Sequence, residues 1–165
     1  MIGYACINMK LSNQKPRVYT GRSMIKRTFE QKGIRYASEL GLQNCKDLME
    51  IIKWNNEHDF KFFRITSNLF PWCSEYRLQD MPDYMEIKST LRQIGEYVKE
   101  NQMRITSHPG PFNVLTSPHE HVVQNCIKDL STHGEVFDMM NLSRTPWNKI
   151  NIHIGGVYGD KVSAM

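Results

Sequence analysis

Residues 84–110 read YMEIKSTLRQIGEYVKENQMRITSHPG, and the fold class turns on how this stretch is parsed. Ile87, Leu91, Ile94 and Val98 recur at i, i+4, i+7 and i+11, which puts one apolar stripe on an α-helix over Tyr84–Glu100. Met103–His108 then reads as a short β-forming run stopped by Pro109-Gly110. Outward from this helix–strand unit the same alternation repeats. Ile2–Asn8, Phe60–Ser67 and Lys149–Ile154 read as further strands, and Asn44–Glu57, with Leu48, Ile51, Ile52 and Trp54, reads as a helix capped by Asn44. Another helix is expected after Ser117, with Ser117 as cap, Pro118 in the first turn, Glu120 closing a capping box and Gly134 stopping it beyond His133.

Strands that alternate strictly with helices predict an α/β chain of parallel βα units, either a barrel or a doubly wound sheet, in a single domain over residues 1–165. No GxGxxG or phosphate-loop motif follows the first strand, which weighs against a nucleotide-binding sheet. Residues 9–43 read as one long polar connection.

The formal net charge of +4 is small, but its placement is uneven. Lys10, Lys15, Arg17, Arg22, Lys26, Arg27, Lys32 and Arg35 share their segment with one acid, Glu30; this suits a polyanion such as nucleic acid and equally a solvated surface. Four widely spaced cysteines, without CxxC, predict reduced thiols in an intracellular rather than secreted protein. No apolar run reaches the roughly 18 residues of a membrane span. The ten methionines form no MxxM cluster and read as core filler.

Chemistry-bearing residues fall where the strands end. Asn8, Arg64 with Ser67, His108 and His153 each stand at or just past a strand's carboxyl end, the rim on which (β/α) barrels build their sites. Either histidine alone reads more readily as a structural hydrogen-bonder than as a ligand. As a pair from neighbouring strands they suit a metal, imidazole being a common transition-metal ligand. His58, His119, His121 and His133 read as surface or capping residues.

The runs Phe63-Arg64-Ile65-Thr66-Ser67-Asn68-Leu69-Phe70-Pro71, Ser107-His108-Pro109-Gly110-Pro111-Phe112, Leu115-Thr116-Ser117-Pro118 and Ile150-Asn151-Ile152-His153-Ile154-Gly155-Gly156-Val157-Tyr158-Gly159-Asp160-Lys161, with Tyr4 and Asn8 in the opening strand, resemble the UV-damage endonuclease family. The resemblance implies the first half of a TIM (β/α)8-type barrel from a DNA-repair enzyme. Such an enzyme incises double-stranded DNA on the 5′ side of ultraviolet photoproducts with a divalent metal, usually taken to be manganese.

On that resemblance His108, His153 and, in place of a family histidine, Glu75 are the expected metal ligands. Tyr4, Asn8, Arg64, Ser67 and Lys161 are the expected catalytic rim. Phe112, Pro111, Lys10, Lys15, Arg17 and Tyr158 are expected to meet DNA. Pro111 departs from the family's glutamine and cannot offer its amide, whereas Phe112 can still stack on a base. Relatives continue through further βα units that carry more ligands, so a second chain supplying the missing half is an expected partner. A non-catalytic DNA-binding fragment and a sugar isomerase-like barrel fragment are the alternatives.

Overall fold

The computed structural model describes residues 1–153 and 162. Three parallel strands, β1 (Gly3–Ala5), β2 (Phe62–Ile65) and β3 (Arg104–Ser107), pair in the order β1-β2-β3. Their register aligns Tyr4 with Phe63 and Phe63 with Ile105, and it aligns Arg64 with Thr106. Of the expected fourth strand, the described residues show one parallel bridge, Ser107 to Ile150, where Ser107 N–H donates to Lys149 O and Asn151 N–H donates to Ser107 O.

Side chains alternate across a strand, so the register sorts the sheet into two faces. Phe63, Ile65 and Ile105 are buried under the helices. Phe62, Arg64, Arg104 and Thr106 belong to the opposite face. There the Arg104 guanidinium lies 5.3 Å from the Phe62 ring centre and 5.6 Å from that of Trp147.

The helices are α1 (Met9–Ser12), α2 (Lys26–Glu57), α3 (Tyr84–Glu100) and α4 (Glu120–Met139), with 3-10 turns at Cys73–Glu75 and Leu78–Asp80. In α3 the apolar stripe lies where its spacing puts it, with Ile87, Leu91, Ile94 and Val98 all buried. The other helices correct the sequence reading. The expected connection over residues 9–43 contains α1 and the first half of α2, which bends at Gly33 (φ 63°, ψ −160°). Ala37, Ser38 and Gly41 supply the buried stripe there, and such small residues bury a helix face with little hydrophobic signal.

Asn44 is therefore not a cap. It is fully buried within α2, where its side-chain oxygen accepts from Arg22 N–H and its amide donates to the carbonyls of Arg22 and Leu69. At the start of α4 the capping position falls on His119, and Ser117 Oγ accepts from His119 N–H. Gly134 does not stop the helix, which continues to bury Val136 and Phe137. Among the described residues no helix is long and apolar enough to cross a membrane.

Candidate functional site

Just past β3 and the Ile150 bridge, His108 and His153 bring their ring centres to 4.7 Å, with the planes inclined by 38°. His108 follows Ser107, so it shares the strand face of Arg64 and Thr106. Partial desolvation pushes the His108 pKa down, and the nearby charges of Arg64 and His153 add to that shift. Neutral imidazole is the metal-binding form. Arg64 is half-buried, and its Nε, like Thr106 Oγ1, is buried without a hydrogen-bond partner among the described residues. Polar atoms left unpaired on this face point to a group that the described residues do not supply.

The donors suit a divalent ion in kind, since both are imidazole nitrogens, and two is their number. No third His, Cys, Asp or Glu joins them among the described residues. Glu75, expected as a ligand, is not brought to the pair. After β2 the chain buries Leu69 and Phe70, and the 3-10 turn then leaves Glu75 exposed in a groove with Trp72, Phe112 and Asn125.

Tyr4 and Asn8 also stand apart from Arg64 and His108. Tyr4 shares its strand face with Phe63, contacts the Phe63 and Phe60 rings edge-on, and donates to Asn55 Oδ1 on α2. Asn8 Nδ2 donates to Tyr4 Oη at 2.7 Å, and Asn8 Oδ1 caps α1 by accepting from Leu11 N–H. Burial raises the Tyr4 pKa against these hydrogen bonds.

Ser67 lines a groove of about 290 Å³ with Asn68, Trp72, Gly110, Phe112 and Asp129. Phe112 is 69% exposed and Pro111 is exposed beside it. Lys10, Lys15 and Arg17 are exposed. Arg17 and Arg22 flank the Tyr19 ring, but Arg22 is committed to Asp47 at 2.8 Å. Tyr158 and Lys161 lie outside the described residues.

His133 corrects another expectation, because it is buried rather than superficial. Its Nδ1 lies 2.9 Å from Ser107 Oγ, and its Nε2 lies 3.7 Å from Asp129 Oδ2. Cys126, Asp129 and His133 occupy i, i+3 and i+7 of α4, a helical face legible in the sequence, although nothing there shows that Asn113 and Cys73 fold back to meet it.

The family model of UV-endonuclease UvdE matches residues 1–165. The chain belongs to that family. A homologue of Acanthamoeba polyphaga mimivirus is 35% identical over 165 residues, 99% of this chain and 49% of that protein. The UV-damage endonuclease of Schizosaccharomyces pombe is 33% identical over 97% of this chain and 27% of its own length. A crystal structure of SacUVDE matches with a TM-score of 0.81 and 29% identity, covering 99% of this chain and 52% of that one. This UvdE family member thus spans about half the length of that structure and of the viral homologue, and less of the yeast enzyme.

Proposed function

We propose that this UvdE family member forms the first half of a TIM (β/α)8-type barrel and serves metal-dependent incision of double-stranded DNA 5′ of ultraviolet photoproducts. The observation that most supports this is the His108–His153 pair, 4.7 Å apart at the strand ends beside Arg64. His108 and His153 would hold a divalent ion, with manganese the candidate, and the ion when bound polarises the phosphodiester and acidifies its water.

The chain's own residues bind and orient the substrate. Arg64, whose Nε has no partner among the described residues, suits a backbone phosphate. Phe112 stacks on a base, while Lys10, Lys15 and Arg17 meet further phosphates. Lys161 and Tyr158 join them on the family resemblance. The remaining metal ligands come from outside the described residues, and edge strand β1 is where a second half-barrel would pair. The free cysteines suit a reducing, intracellular setting. DNA binding without catalysis is the second reading, favoured by the two-ligand site among the described residues and by Pro111.

The test joins this chain to the carboxyl-terminal half of the viral homologue. Supercoiled plasmid, irradiated or not, is incubated with manganese and followed for conversion to nicked circle. The joined protein is expected to nick irradiated plasmid selectively, and His108→Ala and His153→Ala each to abolish nicking. Equal nicking of both plasmids, or full activity in His153→Ala, sinks the reading.

A further inference from the structure

One carboxylate on α4 is met by two separate loops. Asp129 Oδ2 accepts from Asn113 Nδ2 at 2.7 Å, and Asp129 Oδ1 accepts from Cys73 Sγ at 3.0 Å. Asn113 is buried next to exposed Phe112, and its amide also donates to Gly110 O. One turn earlier on α4, Cys126 Sγ accepts from Val114 N–H and holds the same loop. Cys73 directly follows Trp72, whose backbone is left-handed (φ 60°) and whose Nε1 donates to Met24 O. The two loops therefore carry Trp72 and Phe112, which wall the groove with the buried Phe70, and Asp129 is their shared anchor.

Fold stability gives little reason for a carboxylate here. The Asp129 side chain is 15% exposed, and among the described residues its one ion-pair partner is His133, which burial favours in the neutral form. A partly buried carboxylate without a firm cation carries a desolvation cost that an apolar residue would not. Holding two loops at a set separation is what the carboxylate adds. Gly110 makes the need concrete, because a Cβ there would lie 2.4 Å from the Phe112 ring; the ring folds over bare backbone and is 69% exposed.

We propose that Asp129 is a positioning residue for DNA binding: through Asn113 and Cys73 it fixes the Phe112 ring opposite Trp72, so the ring meets a base already ordered. The role rests on the reading above that Phe112 contacts DNA. Without Asp129 the loop keeps only its Cys126 hold and its internal Asn113–Gly110 bond, so it is less ordered before binding and affinity falls by the cost of ordering it.

A double-mutant cycle on the 165-residue chain tests this, with affinity for a fluorescent duplex read by anisotropy at low salt. Phe112→Ala is expected to weaken binding roughly tenfold, the scale of one lost base–aromatic stack. Asp129→Asn, which keeps the shape but loses an acceptor, should weaken it several-fold alone and add nothing in the Phe112→Ala background. The exchange Asn113→Asp with Asp129→Asn restores the amide–carboxylate bond, though not the bond to Gly110 O, and should recover affinity in part, and it keeps the test usable if Asp129→Asn folds poorly. Equal losses from Asp129→Asn with and without Phe112, or no loss at all, overturn the positioning role while leaving the Phe112 contact standing. No effect of Phe112→Ala overturns the contact itself, and the positioning role with it.

Discussion

Two glycines in helices should respond oppositely to the same substitution. Gly95 lies mid-α3, and an ideal Cβ built on it falls 1.8 Å from the Met140 carbonyl oxygen and 2.6 Å from its carbonyl carbon. Non-bonded carbon atoms settle at roughly 3.5–4.0 Å, so Gly95→Ala must push α3 away from the chain at Met140 by more than about 1 Å. Both partners are backbone, which no side-chain rotation relieves. Met140 is fully buried and Leu142 nearly so, so the displacement opens the packing between α3 and the end of α4. Overpacking of this kind costs about 3 kcal/mol, against which alanine's helix propensity returns about 1 kcal/mol. The net loss of about 2 kcal/mol should lower the melting temperature by roughly 4–8 °C in a domain of this size. Gly134 is also mid-helix, but a Cβ there meets nothing within 4 Å. Only propensity then acts, and Gly134→Ala should raise stability by about 0.5–1 kcal/mol. Urea unfolding of both variants against the parent measures the difference. A Gly95→Ala midpoint at or above the parent's would refute the steric argument.

Asn44→Ala strips the partners from Arg22 N–H and from the Arg22 and Leu69 carbonyls, and urea unfolding should show a loss of about 3 kcal/mol. Burial pushes the His133 pKa down from 6.5, with Asp129 opposing. The unfolded chain therefore binds the proton more readily, and stability falls as pH drops below about 6.5. Urea midpoints at pH 7.5 and 5 should show that fall, and His133→Gln should flatten it; a slope unchanged in the variant would contradict it. Cys45, Cys73 and Cys126 are buried and Cys6 is not, so a thiol reagent should modify one cysteine quickly in the native protein and the others only on unfolding. The unjoined chain should bind duplex DNA in a salt-sensitive and lesion-indifferent way, because Lys10, Lys15 and Arg17 remain exposed and Pro111 offers no probing amide. Titration of irradiated and unirradiated duplex at two salt concentrations checks this.

The βα alternation is legible because large apolar side chains carry it: the α3 stripe and the runs Phe60–Ser67 and Met103–His108, within which β2 and β3 form, announce their period. The first half of α2 is not, because Ala37, Ser38 and Gly41 bury a helix face without looking apolar, and Asn44 resembles a cap until Arg22 and Leu69 fold around it. Gly134 and Gly95 are alike in sequence, and only the approach of Met140 separates them.

The site divides along a similar line. Strand ends can be located from sequence, and the structure brings His108 to His153 and Arg64 there. Which face a residue occupies depends on pairing register, and a shift of one position exchanges the faces. Arg64 pairs with Thr106 and so shares a face with His108, whereas Tyr4 pairs with Phe63 and turns toward α2. That parity separates Tyr4 from the rim although both stand near strand ends. Asp129 illustrates the complementary limit. Its helical spacing from Cys126 and His133 is visible, but its importance arises from two loops distant in sequence that converge on one carboxylate. Residues that act by contact with substrate can be sought among strand ends, whereas those that act by holding loops together become visible only when the loops are in place.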